Sequence, residues 1–406
     1  MRATLTLLFR GARPRRQRND ERFIVTTCPA RPFEPNPQGT LLRDGTYWGP
    51  AISEATIDDP HGLLETNARV SILASGFRWT EGPVWWGGAP AGGALLFSDP
   101  IDARIYRWEK RTNSVAILVE DSGGFDGQNV DEGIETIFEP GSNGMAITGD
   151  DVVICQHPTH RVVRARLSSL YACDGKRFCD LPPQSWRVLA ERCPEGRRLN
   201  SPNDVIADAT GLVYFTDPIY GFLRKAPAGL TPLNVRELGL HPDQPYLDEM
   251  CESVGAGYKG VYRCRQDGLK TTLECVTRSL ERPNGLALSV DGELLWVANS
   301  TKNAPSWTAF KVSEKVPFDQ VTVLDAVTLG ESLTLGPGLS DGFKIDEGGF
   351  IWTSVPGGVA VIDPDRNKIL ARVAMGTNIS NIAFGEDGDV FITGLGHLWA
   401  LKRRVK

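Results

Sequence analysis

From residue 80 onward one phrase recurs six times, and no other feature restricts the fold more. A Gly- or Asn-bearing turn leads into an apolar strand. An Asp-Gly-like turn follows, then a second strand of alternating bulky residues, a short gap and a third strand. The second strands are read at Ala94–Asp99, Asp151–Cys155, Gly211–Asp217, Glu293–Asn299, Gly349–Ser354 and Asp389–Thr393, and the third at Ile105–Trp108, Val162–Arg164, Val261–Arg263, Thr308–Lys311, Val359–Ile362 and Leu398–Leu401. β-Branched and aromatic residues bounded by turns such as Asp291-Gly292 and Asp387-Gly388 form antiparallel meanders. No unit is large enough to bury its own two faces, so the units must stack. The expected fold is all-β, a six-bladed β-propeller with a non-propeller N-terminal extension. A β-sandwich would not repeat register, aromatics and turns together.

The last unit runs out of chain after its third strand, while Arg69–Ala74 precedes the first unit unpaired. That segment is expected to supply the fourth strand of blade six and remove an exposed edge. The organisation read from these features is a leader or extension over residues 1–65, partly disordered, and a propeller over 66–406. Within the propeller, 121–140 and 222–258 are read as long loops on a rim, the second carrying Glu237, Asp243, Asp248, Glu249 and Glu252.

Composition narrows the function. The 44 Lys and Arg against 50 Asp and Glu leave a formal net charge of −6, which argues against a protein built to hold nucleic acid. No run of 18 apolar residues occurs, so no membrane span is expected. The first 22 residues hold seven arginines, mostly after the short apolar stretch Ala3–Phe9, the wrong order for a secretory signal. An organelle transit peptide and a disordered basic leader both fit, and a cytoplasmic location is the working expectation. The eight cysteines form no C-x-x-C pair. Cys173 and Cys179 could close a small disulfide in an oxidising compartment, and reduced thiols fit equally well.

In a propeller the first strand of each blade lines a central channel, so polar residues at those strand starts converge although they are far apart in sequence. Here the starts carry Glu81, Asn143, Asn203, Asn284, Asp341 and Asn381. Glu81, Asn203, Asn284 and Asp341, read as one repeat position, offer four oxygen donors, two of them anionic. Hard oxygen donors with amide carbonyls suit one divalent cation, Ca²⁺ first, with Mg²⁺, Mn²⁺ or Zn²⁺ open. His157 follows the second strand of blade two, where it could reach a channel-bound substrate; His160 reads as a surface loop residue. Asp99 and Asp217 read as turn caps within blades, and Asp204 as structural. Gly338-Leu339-Ser340-Asp341-Gly342 matches the G-x-S-x-G pattern, but strand and turn follow it where a nucleophile elbow needs a helix.

Trp79-Thr80-Glu81-Gly82-Pro83-Val84-Trp85, Arg198-Leu199-Asn200-Ser201-Pro202-Asn203-Asp204, Tyr214-Phe215-Thr216-Asp217-Pro218, Gly260-Val261-Tyr262-Arg263, Arg282-Pro283-Asn284-Gly285 and Ser340-Asp341-Gly342 together resemble the gluconolactonase branch of the SMP-30/gluconolactonase family over roughly residues 70–400. The resemblance implies a six-bladed propeller with one catalytic divalent metal in the channel, hydrolysing sugar lactones. It puts Glu81, Asn203, Asn284 and Asp341 on the metal, Asp341 also as proton acceptor, and Asn203 on the substrate. Asn143 and His157 are further expected substrate contacts. The animal branch has a substrate-binding Arg where this chain has Ser201, so that contact does not carry over. The expected partner is therefore a small sugar lactone, with no nucleic acid or membrane partner, and the expected assembly is a monomer or weak homodimer. Two other readings use the same residues: the site acting on organophosphate triesters or non-sugar lactones, and a non-catalytic interaction propeller with a structural cation.

Overall fold

The structure is a computed structural model, and it describes residues 55–124, 139–221, 244–268, 270–301, 304–333 and 336–405, with the short strands Glu34–Pro35, Thr40–Leu41 and Tyr47–Trp48. Six antiparallel sheets form the blades of a propeller. The first runs Glu81–Trp86, Ala94–Asp99, Arg104–Glu109 and Ser114–Glu120 from the axis outward. Blade two is Ser142–Thr148, Asp151–Gln156, Arg161–Arg166 and Trp186–Ala190, and blade three Val205–Ala207, Val213–Asp217, Gly260–Asp267 and Lys270–Thr277. Blade four is Pro283–Leu288, Leu294–Asn299, Ser306–Lys311 and Asp319–Leu324. Blade five is Phe343–Ile345, Ile351–Val355, Gly358–Asp363 and Lys368–Ala374, with Thr56–Asp58 added to its outer edge.

Blade six takes Ile379–Phe384, Asp389–Gly394 and His397–Lys402 from the end of the chain and Ser71–Ser75 from before blade one. The ring closes as expected: His397 pairs with Ser75 and Ala400 with Ser71. Closure ties the two ends of the propeller sequence into one sheet, so no blade is left with an open inner ladder.

The core is divided by the same symmetry. Six clusters of buried apolar side chains fill the six spaces between neighbouring blades. Phe97 and Trp108 of blade one meet Phe391 and Leu398 of blade six, for example, and Trp296 and Trp307 of blade four meet Phe343 and Ile351 of blade five. The alternating bulky residues of the second and third strands thus serve two interfaces at once, one on each face of a blade.

Two expectations are corrected. The 222–258 insert is more than loop: Gln244–Ser253 forms a helix, while residues 222–243 lie outside the described residues. A second, shorter helix, Leu167–Cys173, sits between the third and fourth strands of blade two. Residues 125–138 of the other insert also lie outside the described residues. Cys173 is buried and Cys179 exposed, both as free thiols, so the possible disulfide between them is not formed.

Candidate functional site at one end of the channel

The turns that lead into the inner strands are pinned from the second strands. Asp99, the last residue of its strand, accepts the backbone N–H groups of Arg78 (2.7 Å), Trp79 (3.3 Å) and Asp102 (3.0 Å). In blade three Asp217 accepts those of Asn200 (2.9 Å) and Ser201 (2.8 Å), and in blade four Asn299 Oδ1 accepts that of Arg282 (2.8 Å). The reading of Asp99 and Asp217 as turn caps therefore holds. Burial pushes their carboxyls up, to about 7 and about 8, against the pull of those donors.

These caps set the polar residues at the strand starts in a ring. The inner strands lie side by side in chain order, and blade six returns to blade one. Gly144 N–H donates to Asn203 O (2.7 Å), Gly342 N–H to Ser380 O (2.6 Å), and Ser380 Oγ to Thr80 O (2.6 Å). Close approach is possible because glycine follows the polar residue in four blades. A Cβ on Gly82 would fall 2.2 Å from Asn143 O, and one on Gly285 would fall 2.4 Å from Asp341 O.

Glu81, Asn143, Asn203 and Asn284 are all buried and Asp341 is partly exposed. Trp79 Nε1 donates to Glu81 Oε1 (3.0 Å) and Gly82 N–H to Oε2 (3.3 Å), which fixes that carboxylate. The pairing register corrects the idea of one shared repeat position. Glu81 pairs with Ser98 as Pro283 pairs with Asn299, three residues before the in-register Val84 and Leu286. Glu81 is thus one residue earlier than Asn284, and Gly82, with φ +52°, makes the adjustment.

Further along the channel, Asp204 accepts from Val205 N–H (2.9 Å) and Asn381 Nδ2 (3.2 Å), and Lys344 Nζ donates to Asn381 Oδ1 (3.3 Å). Asp204 is therefore a cross-link between blades three and six, with Lys344 of blade five close enough to stabilise its charge.

His157 is fully buried. Its Nδ1 lies 2.9 Å from Glu139 Oε2, and its Nε2 has no hydrogen-bond partner. Burial drives the imidazole down to about 3. His160, expected at the surface, is buried too, with Nδ1 against Asn200 O. Ser340 Oγ donates to Asn299 O (2.8 Å), a turn role that fits its context between strands.

Sequence reasoning gave no role to Glu139 or Arg282, and placed Tyr220 and Gly221 only at the edge of the pocket. Glu139 is 18 residues from His157, and no spacing rule links them. Tyr220 is brought in by the following residue: Gly221 N–H donates to Ser201 Oγ (3.0 Å), and a Cβ there would strike both His157 and Ser201. The Tyr220 hydroxyl is buried with no hydrogen bond of full geometry among the described residues, in the field of Arg282 and Asp341. Arg282 lay inside a quoted motif, but only its burial marks it.

One pattern unites these residues. Asn284 Oδ1, Tyr220 OH and His157 Nε2 are all buried polar atoms with no hydrogen bond of full geometry among the described residues, and they lie in blades four, three and two. Each such atom costs about 1–3 kcal/mol unless something fills its valence. Unpartnered donors and acceptors gathered at one place are the mark of a ligand site. The donor chemistry of Glu81, Asn203, Asn284 and Asp341 fits a hard divalent cation, and the bare amide oxygen of Asn284 is the observation that favours one. Among the described residues no cluster of three His, Cys, Asp or Glu side chains is placed to hold a metal, so a thiol- or imidazole-bound metal has no such site there.

Comparison with known proteins gives a consistent answer. The family model described as SMP-30/Gluconolactonase/LRE-like region matches residues 79–395. A gluconolactonase of Zymomonas mobilis is 31% identical over 374 residues, 91% of this chain and 89% of that one. The solved structure of a gluconolactonase from Xanthomonas campestris is 25% identical, with a TM-score of 0.61 over 88% of this chain and 98% of that one. Regucalcin of Agrobacterium tumefaciens, a calcium-binding protein, is 13% identical with a TM-score of 0.50 over 82% of this chain and 94% of that one, a likeness that shows the fold alone.

Proposed function

Because this chain belongs to the SMP-30/gluconolactonase family, we propose that it hydrolyses sugar lactones of the gluconolactone type at the channel end ringed by Glu81, Asn143, Asn203, Asn284 and Asp341. The single observation that carries the reading is the group of unpartnered buried polar atoms there, Asn284 Oδ1 foremost. A closed structural site in a non-catalytic propeller would have satisfied them from within the protein.

On this reading Glu81, Asn203, Asn284 and Asp341 hold one divalent cation, Ca²⁺ in first place. The chemistry supplied by a cation held there is Lewis-acid polarisation of a carbonyl and neutralisation of charge building on its oxygen. The chain's own groups do the rest. Glu81 is held in one orientation by Trp79 and Gly82. Asp341, the least buried of the set, accepts the proton of the attacking water. Asn143, Asn203 and the free Nε2 of His157 bind hydroxyl groups of the sugar. Water adds to the carbonyl carbon, the ring C–O bond breaks, and the ring oxygen leaves as a hydroxyl.

Initial rates on an aldonolactone, a non-sugar lactone and a phosphotriester test the substrate class. The proposal expects the aldonolactone to be turned over well above the other two. Comparable or faster phosphotriester cleavage would move the assignment to that electrophile. For the proton transfer, Asp341→Asn with its metal content unchanged is expected to lose about 10²–10⁴ in kcat; full activity would remove Asp341 from that role.

A further inference from the structure

Arg282 is 9% exposed, and no carboxylate among the described residues lies within ion-pair distance of its guanidinium. Its backbone is fixed on both sides: the N–H donates to Asn299 Oδ1, and the carbonyl accepts Ser300 N–H at 2.9 Å. The guanidinium lies over the ring of Tyr220, 5.9 Å from its centroid. The Tyr220 hydroxyl is itself buried, makes no hydrogen bond of full geometry among the described residues, and lies close to Ser300 and Arg282. Burial pushes that hydroxyl up to about 12, so it is a donor at any working pH. A buried cation and a buried phenol stand side by side, Arg282 two residues before Asn284 and Tyr220 in the field of Asp341.

Removing a cation from water without a counter-charge is costly. Of the other buried arginines, Arg263 has Glu274 at 2.9 Å and two backbone carbonyls, and Arg403 has Glu347 at 2.7 Å. No ion pair of that kind is formed by Arg282 among the described residues. Among the described residues no anion fills that role, and a charged acceptor from outside the chain would fill it. Lactone opening makes one: a neutral ester becomes a carboxylate and a hydroxyl, with one proton released. An arginine fork matches a carboxylate with two parallel N–H···O bonds, and a tyrosine hydroxyl can give a third.

We propose that Arg282 and Tyr220 form an anion subsite that receives the carboxylate of the ring-opened aldonate. This rests on the sugar-lactone reading for the identity of the anion, but not for its existence. Ser201 supports the subsite at one remove: its Oγ donates to Pro218 O (3.0 Å) and accepts from Gly221 N–H, fixing the loop that carries Tyr220. The phrases Ser201-Pro202-Asn203 and Arg282-Pro283-Asn284 are alike. One gives its first side chain to the loop and the other to the anion.

Calorimetric titration of the full chain with a six-carbon aldonate, and with the neutral alditol of the same length, tests it. The aldonate is expected to bind and the alditol to bind more weakly. Arg282→Gln should weaken aldonate binding by about tenfold or more and Tyr220→Phe by several-fold, while neither changes alditol binding. Tyr220→Phe removes one hydroxyl that makes no hydrogen bond of full geometry among the described residues, so it keeps the test open if Arg282→Gln fails to fold. Undiminished aldonate binding in a folded Arg282→Gln or in Tyr220→Phe would overturn the subsite, as would no aldonate binding by the unaltered protein. Arg282-dependent aldonate binding in a protein that opens no lactone would keep the subsite and refute the hydrolase reading. Lactone opening with Arg282-independent aldonate binding would do the reverse.

Discussion

Asn284 buries an amide oxygen that nothing in the chain satisfies. Removing it should therefore separate stability from function. Asn284→Ala is expected to leave the melting temperature of the metal-free protein unchanged or raise it, because a desolvated acceptor disappears, while lactone hydrolysis falls at least about 100-fold. A large loss of stability with activity retained would mean that the residue is structural. A second single-residue prediction concerns His160, which burial first and the nearby Arg198 second push down to about 3. Its folded-state value is below its unfolded one, so its contribution is present above about pH 6.5 and is lost as pH falls toward 3. Thermal melts of His160→Asn across that window should show a shallower acid decline than the unaltered protein; Asn suits the φ of +52° at this position. An identical pH profile would contradict the assignment. Such properties were not legible in the sequence. His157 read as a residue that could face the channel and His160 as a surface loop residue, and only the packing of Gly221, Glu139 and Asn200 around them makes both interior.

Among elements, the second and third strands could be read directly, because β-branched and aromatic residues alternate there and both faces are buried. The inner strands were harder. Those of blades three and five have only three residues, Val205–Ala207 and Phe343–Ile345, and the polar phrase before each is held by caps and glycines rather than by a ladder. The helix Gln244–Ser253 was missed because Asp248, Glu249 and Glu252 mask any apolar periodicity. Ring closure, in contrast, followed from counting strands and noticing the spare segment at Arg69–Ala74. Leu73 of the closing strand is 3% exposed and packs in the cluster shared by blades six and one. Leu73→Ala is expected to cost about 2–5 kcal/mol, read as a lower denaturation midpoint with an unchanged slope. A cost below about 0.5 kcal/mol would mean that closure contributes little to the stability of the ring.

For the molecule as a whole, the propeller converts sequence distance into proximity. Residues from 81 to 341 reach one ring because each blade contributes the same edge to the axis, and the Asp204–Asn381–Lys344 cross-link ties blades three, five and six deeper in the channel. The ring of inner strands was legible because the repeat itself predicts it. The Glu139–His157 pair and the Arg282–Tyr220 pair were not, since each depends on how separate loops meet, nor was the offset of Glu81, which depends on a register shift inside blade one. The most direct test of the central claim is lactone hydrolysis by the chelator-stripped protein, followed by readdition of Ca²⁺, Mg²⁺, Mn²⁺ or Zn²⁺ one at a time. The account predicts that stripping abolishes activity and that at least one of these ions, Ca²⁺ foremost, restores it in the unaltered protein and not in Asn284→Ala. Full activity in the stripped protein, or no recovery with any of the four ions, would contradict it.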